Sequence, residues 1–427
     1  MESKSSSQKI LNILILILLI KITGYFTISE NVVVTRMLKI FFRTGMTVAI
    51  FAVYTSLKSK GWLASWSWTN SLIPVFYGAY LTLGFLSFFW SSDIGYSALQ
   101  LLMNLESFLF AYYFIAVYLL IRKHAPEVNI RLSYLVGNAV FFILLIFVVG
   151  VIVAPDIFYR LTHGGEESRL GGYLMNPNEL GMLSVIGASM VAMEMKEDRN
   201  KILLVFMMLI ALTVLLLTGS RSSLIGFLLI MLYFTGKSES KKLKAGVLIG
   251  LIVAMPFVIT TIIFKQGNVE EVLSMTGRLP FWKALLTEGL PKEPLFGFGY
   301  MRIAYKDYFQ SVHTYAGQMT HNTFIQVLMN LGIVGLLLVL VQLFLTIRGF
   351  MLTKDLSKKT FFVALFIPIL INSFTEFGIF GETNYGILFY QLLIFYGVMH
   401  INEHLSRREK ALQNPGIRTR FAPKIAN

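Results

Sequence analysis

A histidine opens a strongly apolar segment in the last third of the chain, where a titratable side chain is unusual. His321 and Asn322 are followed by nine residues and then by Gly332-Ile333-Val334-Gly335. Histidine titrates near neutral pH, so it can accept a proton from a hydroxyl group. The alternative is an interfacial histidine without a chemical role, and the residues around it decide between the two.

Three arginines, Arg169, Arg221 and Arg278, accompany this histidine near the ends of other apolar segments. Arg221 lies in a very tight turn, Thr218 to Ser223. Taken singly, each arginine is equally consistent with a surface or headgroup contact. Together they predict a site for a membrane-anchored polyanion such as a lipid-linked diphosphate, because arginine stays charged and binds phosphate through two N–H groups. With a base to activate a hydroxyl, this arrangement predicts glycosyl transfer.

Two carboxylates and one asparagine pair are weaker candidates. Glu376 falls inside the eleventh apolar segment, where we expect it to pair with a cation or a histidine. Glu106, in the fourth apolar segment, is predicted to pair with another residue in a structural role. Asn176-Pro177-Asn178 precedes an apolar segment and predicts a helix N-cap. No carboxylate cluster resembles a metal site, so we expect a metal-independent reaction without a cofactor.

The elements that must position these residues are membrane helices. The chain has 427 residues, of which 56% are hydrophobic and 14% charged, whereas a soluble protein carries about 25% charged residues. Apolar runs of about 20 residues recur, each long enough to cross a bilayer. Cysteine is absent, which excludes disulfides and thiolate metal sites. The net charge of +14 is read as cationic cytoplasmic loops, not as nucleic-acid binding.

The sequence predicts an all-α polytopic membrane protein with about twelve transmembrane helices. The predicted spans are 10–28, 37–57, 71–90, 97–121, 132–154, 179–195, 202–218, 223–236, 244–264, 322–347, 360–377 and 385–400. Lysines and arginines concentrate in alternate loops and place both termini in the cytoplasm. Arg36, Lys39 and Arg43 disturb this pattern in the first hairpin.

These spans form one predicted domain over residues 1–400, followed by a basic cytoplasmic tail, 401–427, that contacts anionic lipid. One large outer loop, 265–321, joins spans nine and ten. Gly332 and Gly335 are expected to allow close helix packing. The eleven residues from His321 to Gly332 make about three helical turns, so this packed stripe and the histidine should share a face.

The motifs resemble the O-antigen ligase and O-antigen polymerase superfamily of bacterial envelope glycosyltransferases. The ligase signature is His, then Asn, Ser or Gln, nine residues, and Gly-x-x-Gly/Thr/Tyr, and His321 to Gly335 fits every position. Three more segments are similar to the family. They are Arg169-Leu170-Gly171-Gly172 leading to Asn176-Pro177-Asn178, Ser220-Arg221, and Thr276-Gly277-Arg278 with Trp282. The resemblance covers about residues 165–380.

The resemblance implies an undecaprenyl-diphosphate-linked glycan donor and transfer on the periplasmic or outer side of a bacterial cell membrane. Arg221 and Arg278 would hold the diphosphate, His321 would assist the acceptor or the leaving group, and Glu376 would orient His321. The expected substrate-binding residues are Arg169, Asn176, Asn178, Asn322 and Glu376. Ligases use lipid A-core as acceptor and polymerases use a second lipid-linked glycan; the shared pattern leaves both open.

A transporter or flippase of lipid-linked glycans is the competing class, because twelve spans with both ends inside also suit a carrier. The sequence shows no two-fold repeat and no paired Gly/Pro-broken helices in the two halves. Its charged residues gather at one face of the membrane, with Glu106 and Glu376 as exceptions. These features favour the glycosyltransferase.

Overall fold

The chain is almost entirely helical in its computed structural model, which describes residues 2–162, 167–197, 200–260, 278–300, 320–376 and 378–401. The α-helices are α1 (Glu2–Thr23), α2 (Val32–Ser59), α3 (Leu72–Leu86), α4 (Ile94–His124), α5 (Leu132–Val153), α6 (Pro155–Phe158), α7 (Pro177–Glu194), α8 (Lys201–Thr218), α9 (Arg221–Gly236), α10 (Lys241–Val258), α11 (Arg278–Ala284), α12 (Thr323–Leu352), α13 (Leu356–Ser373) and α14 (Tyr385–Val398). The strands are β1 (Trp66–Trp68), β2 (Tyr159–Thr162), β3 (Glu167–Leu170) and β4 (Met399–Ile401).

The prediction of a multi-pass helical membrane protein is confirmed. Each of the twelve predicted spans contains a helix, and seven helices of the described chain are long and apolar enough to cross a membrane. Helices α9 and α14 are shorter but also apolar. The number of crossings and the side of the termini stay predictions. Apart from Ile401, the predicted tail lies outside the described residues, as do 265–277 and 301–319 of the predicted outer loop.

Helix α14 is the centre of the bundle, since it is apolar and buried on every side. It packs on α4, which packs on α2, while α7 packs between α5, α8, α9 and α13. Strands β1 and β4 pair antiparallel, with Trp66 opposite Ile401. Strands β2 and β3 form a second antiparallel pair, with Arg160 opposite Arg169, and lead the chain into α7.

A buried charged network joins α1, α2 and α4. The carboxylate of Glu106 accepts hydrogen bonds from Lys21 and Thr47 and lies 3.5 Å from Nη2 of Arg43. Arg43 also donates to the hydroxyl of Thr383 at 3.4 Å, in the connection before α14. Buried charges persist only when they are paired. The structural reading of Glu106 is supported, and Arg43, which disturbed the charge pattern of the first hairpin, is one of its partners.

Helix α12 is broken at Gly332, which adopts φ 64° and ψ −164°. The segment 294–299 runs beside the break and hydrogen-bonds to both of its sides. The bonds are Ile333 N to Pro294 O at 2.9 Å, Val334 N to Leu295 O at 3.2 Å, Phe298 N to Met329 O at 3.0 Å and Gly299 N to Asn330 O at 2.8 Å. The expected continuous helix is therefore wrong, and Gly332 contacts the backbone of a loop segment instead of a neighbouring helix.

This segment of the predicted outer loop enters the bundle. Phe298 and Tyr300 are only 7% and 3% exposed. The hydroxyl of Tyr300 accepts a hydrogen bond from Nδ2 of Asn104 at 2.7 Å, and its backbone N–H donates to Ser87 Oγ at 2.9 Å. The loop is thus anchored to α4 and to the end of α3 by buried polar contacts.

Replacing Gly332 by alanine should destabilise the fold, because an added Cβ would lie 2.2 Å from the carbonyl carbon of Leu295 and the positive φ excludes most side chains. We expect a loss of at least about 2 kcal/mol, measured as a lower melting temperature of the purified protein in detergent. Gly45→Ala is the matched control, since its added Cβ would meet nothing within 4 Å. Equal melting temperatures for both variants would contradict the break.

Candidate functional site

The carboxylate of Glu376 contacts three other residues of the predicted site. Helix α13 ends at Ser373, so Glu376 lies in the turn beyond it and not inside a span as expected. Its side chain is 5% exposed. Oε1 accepts hydrogen bonds from Nη2 of Arg278 at 3.0 Å and from Nδ2 of Asn178 at 2.8 Å. Oε2 lies 2.7 Å from Nδ1 of His321.

Arg278 is the first residue of α11 and is held by two acceptors of the same turn. Nη1 donates to the backbone carbonyl of Thr375, and Nη2 donates to Glu376. Its Nε is buried and has no hydrogen-bond partner among the described residues. The guanidinium therefore has a fixed direction. The preceding Thr276 and Gly277 lie outside the described residues.

His321 stands just before the N-cap of α12 in a left-handed conformation, with φ 52°. Asn322 caps the helix, as its Oδ1 accepts from the backbone N–H groups of Phe324 at 2.9 Å and Ile325 at 3.1 Å. Its Nδ2 donates to the carbonyl of Phe374 at 3.3 Å. Asn322 thus fixes the helix start to the turn that carries Glu376, and this anchoring explains how the strained histidine backbone is maintained.

A second hydrogen bond fixes the residue that precedes His321. The indole Nε1 of Trp282, in α11, donates to the backbone carbonyl of Thr320 at 2.7 Å. The N–H of Thr320 in turn donates to Oε1 of Gln326 at 3.1 Å. Helix α11 therefore positions both Arg278 and the residue next to His321.

Arg169 and Asn178 connect this hydrogen-bond network to the start of α7 and the end of α8. Nη2 of Arg169 donates to Oδ1 of Asn178 at 2.7 Å, and Nε donates to the carbonyl of Thr218 at 2.8 Å. Asn176 is the N-cap of α7, as predicted, and accepts from the N–H of Asn178 at 2.9 Å. Because Asn178 also donates to Glu376, the side chain of Asn178 links Arg169 to the central carboxylate.

The turn at Arg221 packs against the start of α7. It is the first residue of α9 and half-buried, and Ser220 is the N-cap of that helix. Oγ of Ser223 donates to the backbone carbonyl of Asn178 at 3.2 Å. Gly181 lets the helices approach, since a Cβ there would lie 2.6 Å from Oγ of Ser223. The backbone of Arg221 is therefore placed beside the start of α7.

The central carboxylate of the site is ionised. Burial by itself raises the pKa of Glu376, but the charge and hydrogen bond of His321, with Arg278 and Asn178, outweigh it and lower the pKa to about 2. Glu376 therefore stays ionised at neutral pH and pairs with the guanidinium of Arg278, while the guanidinium of Arg169 bonds the side chain of Asn178. Such a centre suits phosphate groups. In the described residues, no group of three His, Cys, Asp or Glu side chains is arranged to hold a metal ion.

The motifs predicted as one site are thus joined in space. The connected residues are Arg169, Asn176, Asn178, Arg278, His321, Asn322 and Glu376, with Arg221 attached through its turn. The family model described as O-antigen ligase matches residues 206–340. The resemblance to the O-antigen ligase and polymerase superfamily is confirmed. The O-antigen ligase match includes Arg221, Arg278 and His321 and ends before Glu376. No curated protein matches the chain.

Some contacts of this O-antigen ligase-like site carry no sequence signal. The acceptors for Arg169 and Arg278 are backbone carbonyls, those of Thr218 and Thr375, which every residue type possesses. Gln326 was also missed, although its Oε1 accepts a hydrogen bond from the N–H of Thr320, the residue before His321.

Glu376→Gln should destabilise the protein by about 3 kcal/mol at neutral pH, because it leaves a half-buried guanidinium without its counter-charge. Since the pKa of Glu376 is lowered from 4.5 to about 2, the advantage of the wild type should be present above pH 4.5 and fade as the pH falls toward 2. Melting temperatures of both proteins across this range test the prediction. Exposed Glu127→Gln serves as control. A difference that grows with acidification would oppose the assignment.

Proposed function

We propose that the chain is a glycosyltransferase of the bacterial cell membrane, which moves a glycan from undecaprenyl diphosphate to an acceptor hydroxyl on the outer face. One observation carries the proposal: the carboxylate of Glu376 links the titratable ring of His321, at 2.7 Å, to the phosphate-binding side chain of Arg278, at 3.0 Å. A base and an anion-binding group in fixed relation are what glycosyl transfer from a diphosphate requires.

The chemistry assigns one task to His321. The acceptor hydroxyl oxygen bonds to the anomeric carbon of the donor sugar, and the bond from that carbon to the diphosphate oxygen breaks. The bonding electron pair leaves with the diphosphate. Because Nδ1 of His321 is engaged by Glu376, the hydroxyl proton goes to Nε2, and the carboxylate stabilises the imidazolium that forms, as in other carboxylate–histidine pairs.

The arginines bind the diphosphate leaving group. The guanidinium of Arg278 is held at both Nη atoms by the turn at Thr375 and Glu376, and its side chain remains 14% exposed, so it can face a bound phosphate. Arg169 adds positive charge at the start of α7, where its guanidinium bonds Asn178, and Arg221 begins the neighbouring helix α9. Guanidinium groups neutralise a developing diphosphate charge through paired N–H bonds. We therefore propose a reaction that needs no metal ion.

Two acceptors fit this chemistry, lipid A-core in a ligase and a second lipid-linked glycan in a polymerase. The match to the O-antigen ligase model supports the class as a whole. Transfer on the outer face is supported by the charge distribution of the loops.

His321→Ala should lower transfer at least about 100-fold, because the hydroxyl loses its proton acceptor. The assay uses the protein in vesicles with undecaprenyl-diphosphate-linked glycan extracted from the host, in the presence of EDTA, and measures released undecaprenyl diphosphate. A ladder of longer lipid-linked glycans identifies a polymerase. Release only after addition of lipid A-core identifies a ligase.

His400→Ala is the matched control for this experiment, since His400 lies in β4 and bonds to Thr69 at 2.8 Å, apart from the site. Its activity should equal that of the wild type. If the wild-type protein releases no undecaprenyl diphosphate with either acceptor but moves the lipid-linked glycan between the leaflets of the vesicle, the chain is a flippase and the proposal is wrong.

Arg278→Lys should reduce turnover at least about tenfold although the charge is kept, since lysine cannot bond the Thr375 carbonyl, Glu376 and a phosphate through one rigid fork. The control is Arg131→Lys, which alters a comparable ion pair with Glu194, with Nη2 2.6 Å from Oε2, outside the site. Full turnover in Arg278→Lys, at normal protein abundance, would argue against a diphosphate contact at this residue.

A further inference from the structure

A polar cavity lies at the end of the helix bundle opposite the candidate site. It has a volume of about 220 Å³ and forms where α4, α5, α7, α13 and α14 meet. Its polar lining comes from Tyr118, Arg122, Arg131, Ser133, Asp355 and Tyr396. Helix α7 carries Asn178 at its other end, and α13 leads at its other end to Glu376. Each of these helices has 18 residues, so they hold the cavity and the site about 27 Å apart.

An apolar cavity lies beside the polar one, and Ser133 lines both. It measures about 290 Å³ and lies between α5, α7 and α8, with an apolar lining from Tyr134, Met190, Val191, Leu203, Leu204 and Met207. Leu203 is 47% exposed, so this cavity opens at the surface of the bundle, which is covered by lipid in a membrane. A polar cavity next to an apolar one that opens to lipid suits a molecule with a small headgroup and an apolar chain.

An ion pair lies at the boundary of the two cavities, since Arg131 lines the polar one and Glu194 the apolar one. Nε and Nη2 of Arg131 bond the two oxygens of Glu194 at 3.2 Å and 2.6 Å. Oγ of Ser133 donates to Oε1 of Glu194 at 2.6 Å. The carboxylate is 4% exposed and fully engaged, so the guanidinium of Arg131 has a fixed direction at the cavity wall.

Lys358 is a buried cation beside the polar cavity. It is 7% exposed, and its ammonium lies 5.0 Å from the ring centroid of Tyr396, a residue of the cavity lining. Among the described residues the ammonium makes one hydrogen bond, to the carbonyl of Tyr396 at 3.2 Å, and no ion pair. An ammonium has three N–H donors, and buried charges are normally paired. An anion in this cavity would supply the missing counter-charge.

The charges around the polar cavity limit which anion fits. Arg122 and Arg131 line it and Lys358 lies beside it, whereas the nearby carboxylates are those of Asp355 and Glu194. Three cations against two carboxylates leave one positive charge, which matches a phosphate diester. Arginine binds phosphate through two N–H groups, and the carboxylate of Asp355 accepts hydrogen bonds from hydroxyls. A headgroup with one phosphate diester and free hydroxyls therefore complements this lining.

We propose that the two cavities together bind one anionic glycerophospholipid of the phosphatidylglycerol type. Its phosphate lies at Arg122 and Arg131, a headgroup hydroxyl bonds Asp355, and part of an acyl chain fills the apolar cavity. The surrounding loops belong to the set that the charge distribution predicts as cytoplasmic, where basic pockets between helices bind anionic headgroups. The lipid links α4, α5 and α13 far from the reacting groups, so this inference does not depend on the proposed glycosyl transfer.

The test compares phosphatidylglycerol with phosphatidylethanolamine of the same acyl chains, because the second lipid has no net charge. Delipidated full-length protein in detergent is mixed with both lipids in equal amounts, and native mass spectrometry counts the first lipid bound. The wild type should bind phosphatidylglycerol at least about tenfold more often. Arg122→Gln should lower this preference about fivefold, as expected for the loss of one cation beside a lipid phosphate. Arg122 is exposed, so this variant should fold normally.

Lys123→Gln is the matched control, because it removes the same charge from the neighbouring residue. Nζ of Lys123 donates to the carbonyl of Leu63 at 3.2 Å, and Lys123 is not part of the polar lining. Its lipid preference should equal that of the wild type. Phosphatidylglycerol should also raise the melting temperature of the wild type and of Lys123→Gln more than that of Arg122→Gln, since a ligand stabilises the state that binds it.

Glycerophosphoglycerol, the same headgroup without acyl chains, distinguishes a lipid from a soluble anion. It should not displace phosphatidylglycerol at equal concentration, because it cannot fill the apolar cavity. Displacement would mean that the cavity binds a soluble phosphate diester, and the lipid assignment would be wrong. Equal binding of the two lipids by the wild type, or an unchanged preference in Arg122→Gln, would also overturn the proposal. A preference that falls in Arg122→Gln and persists in Lys123→Gln supports it.

Discussion

The ion pair between the carboxylate of Glu376 and its neighbours determines how the rest of the site is built. A carboxylate that is 5% exposed needs donors for its oxygens, and here they come from α7, α11 and the residue before α12. None of these donors is local, because they lie 55 to 198 residues away along the chain. Removing one donor would leave a buried charge underpaired, which is costly. The carboxylate therefore holds each element in one orientation.

The break at Gly332 extends this constraint to the outer loop. A helix that is interrupted inside the bundle leaves backbone groups without intrahelical partners, and in apolar surroundings they must be satisfied. Segment 294–299 supplies the missing donors and acceptors. The described part of the same loop begins with α11, which carries Arg278 and, through Trp282, contacts the residue before His321. Contacts within this loop therefore fix Arg278 and the residue before His321 relative to the broken helix.

The sequence predicted what depends on local patterns and missed what depends on distant ones. Apolar segments of span length became helices, and Asn176 formed the expected N-cap, because both signals are local. The kink at Gly332 was missed because hydropathy continues across it, and only the loop bonds reveal it. Glu376 was expected to pair with a cation or a histidine, and it pairs with both. Its position beyond the end of α13 was missed, although the polar residues Asn372, Ser373 and Thr375 interrupt the apolar run there.

The ionisation of Glu376 links the electrostatics of the site to its geometry. Although burial raises the pKa of Glu376, His321, Arg278 and Asn178 lower it to about 2, so the carboxylate stays ionised at neutral pH. Its two oxygens hold different partners, since Oε1 accepts from Arg278 and Asn178 and Oε2 lies 2.7 Å from Nδ1 of His321. A change that removed this charge would weaken the contacts to His321 and Arg278 together, because both depend on one carboxylate. The relative position of the proposed base and the proposed phosphate-binding residue therefore depends on the ionisation state of a single side chain.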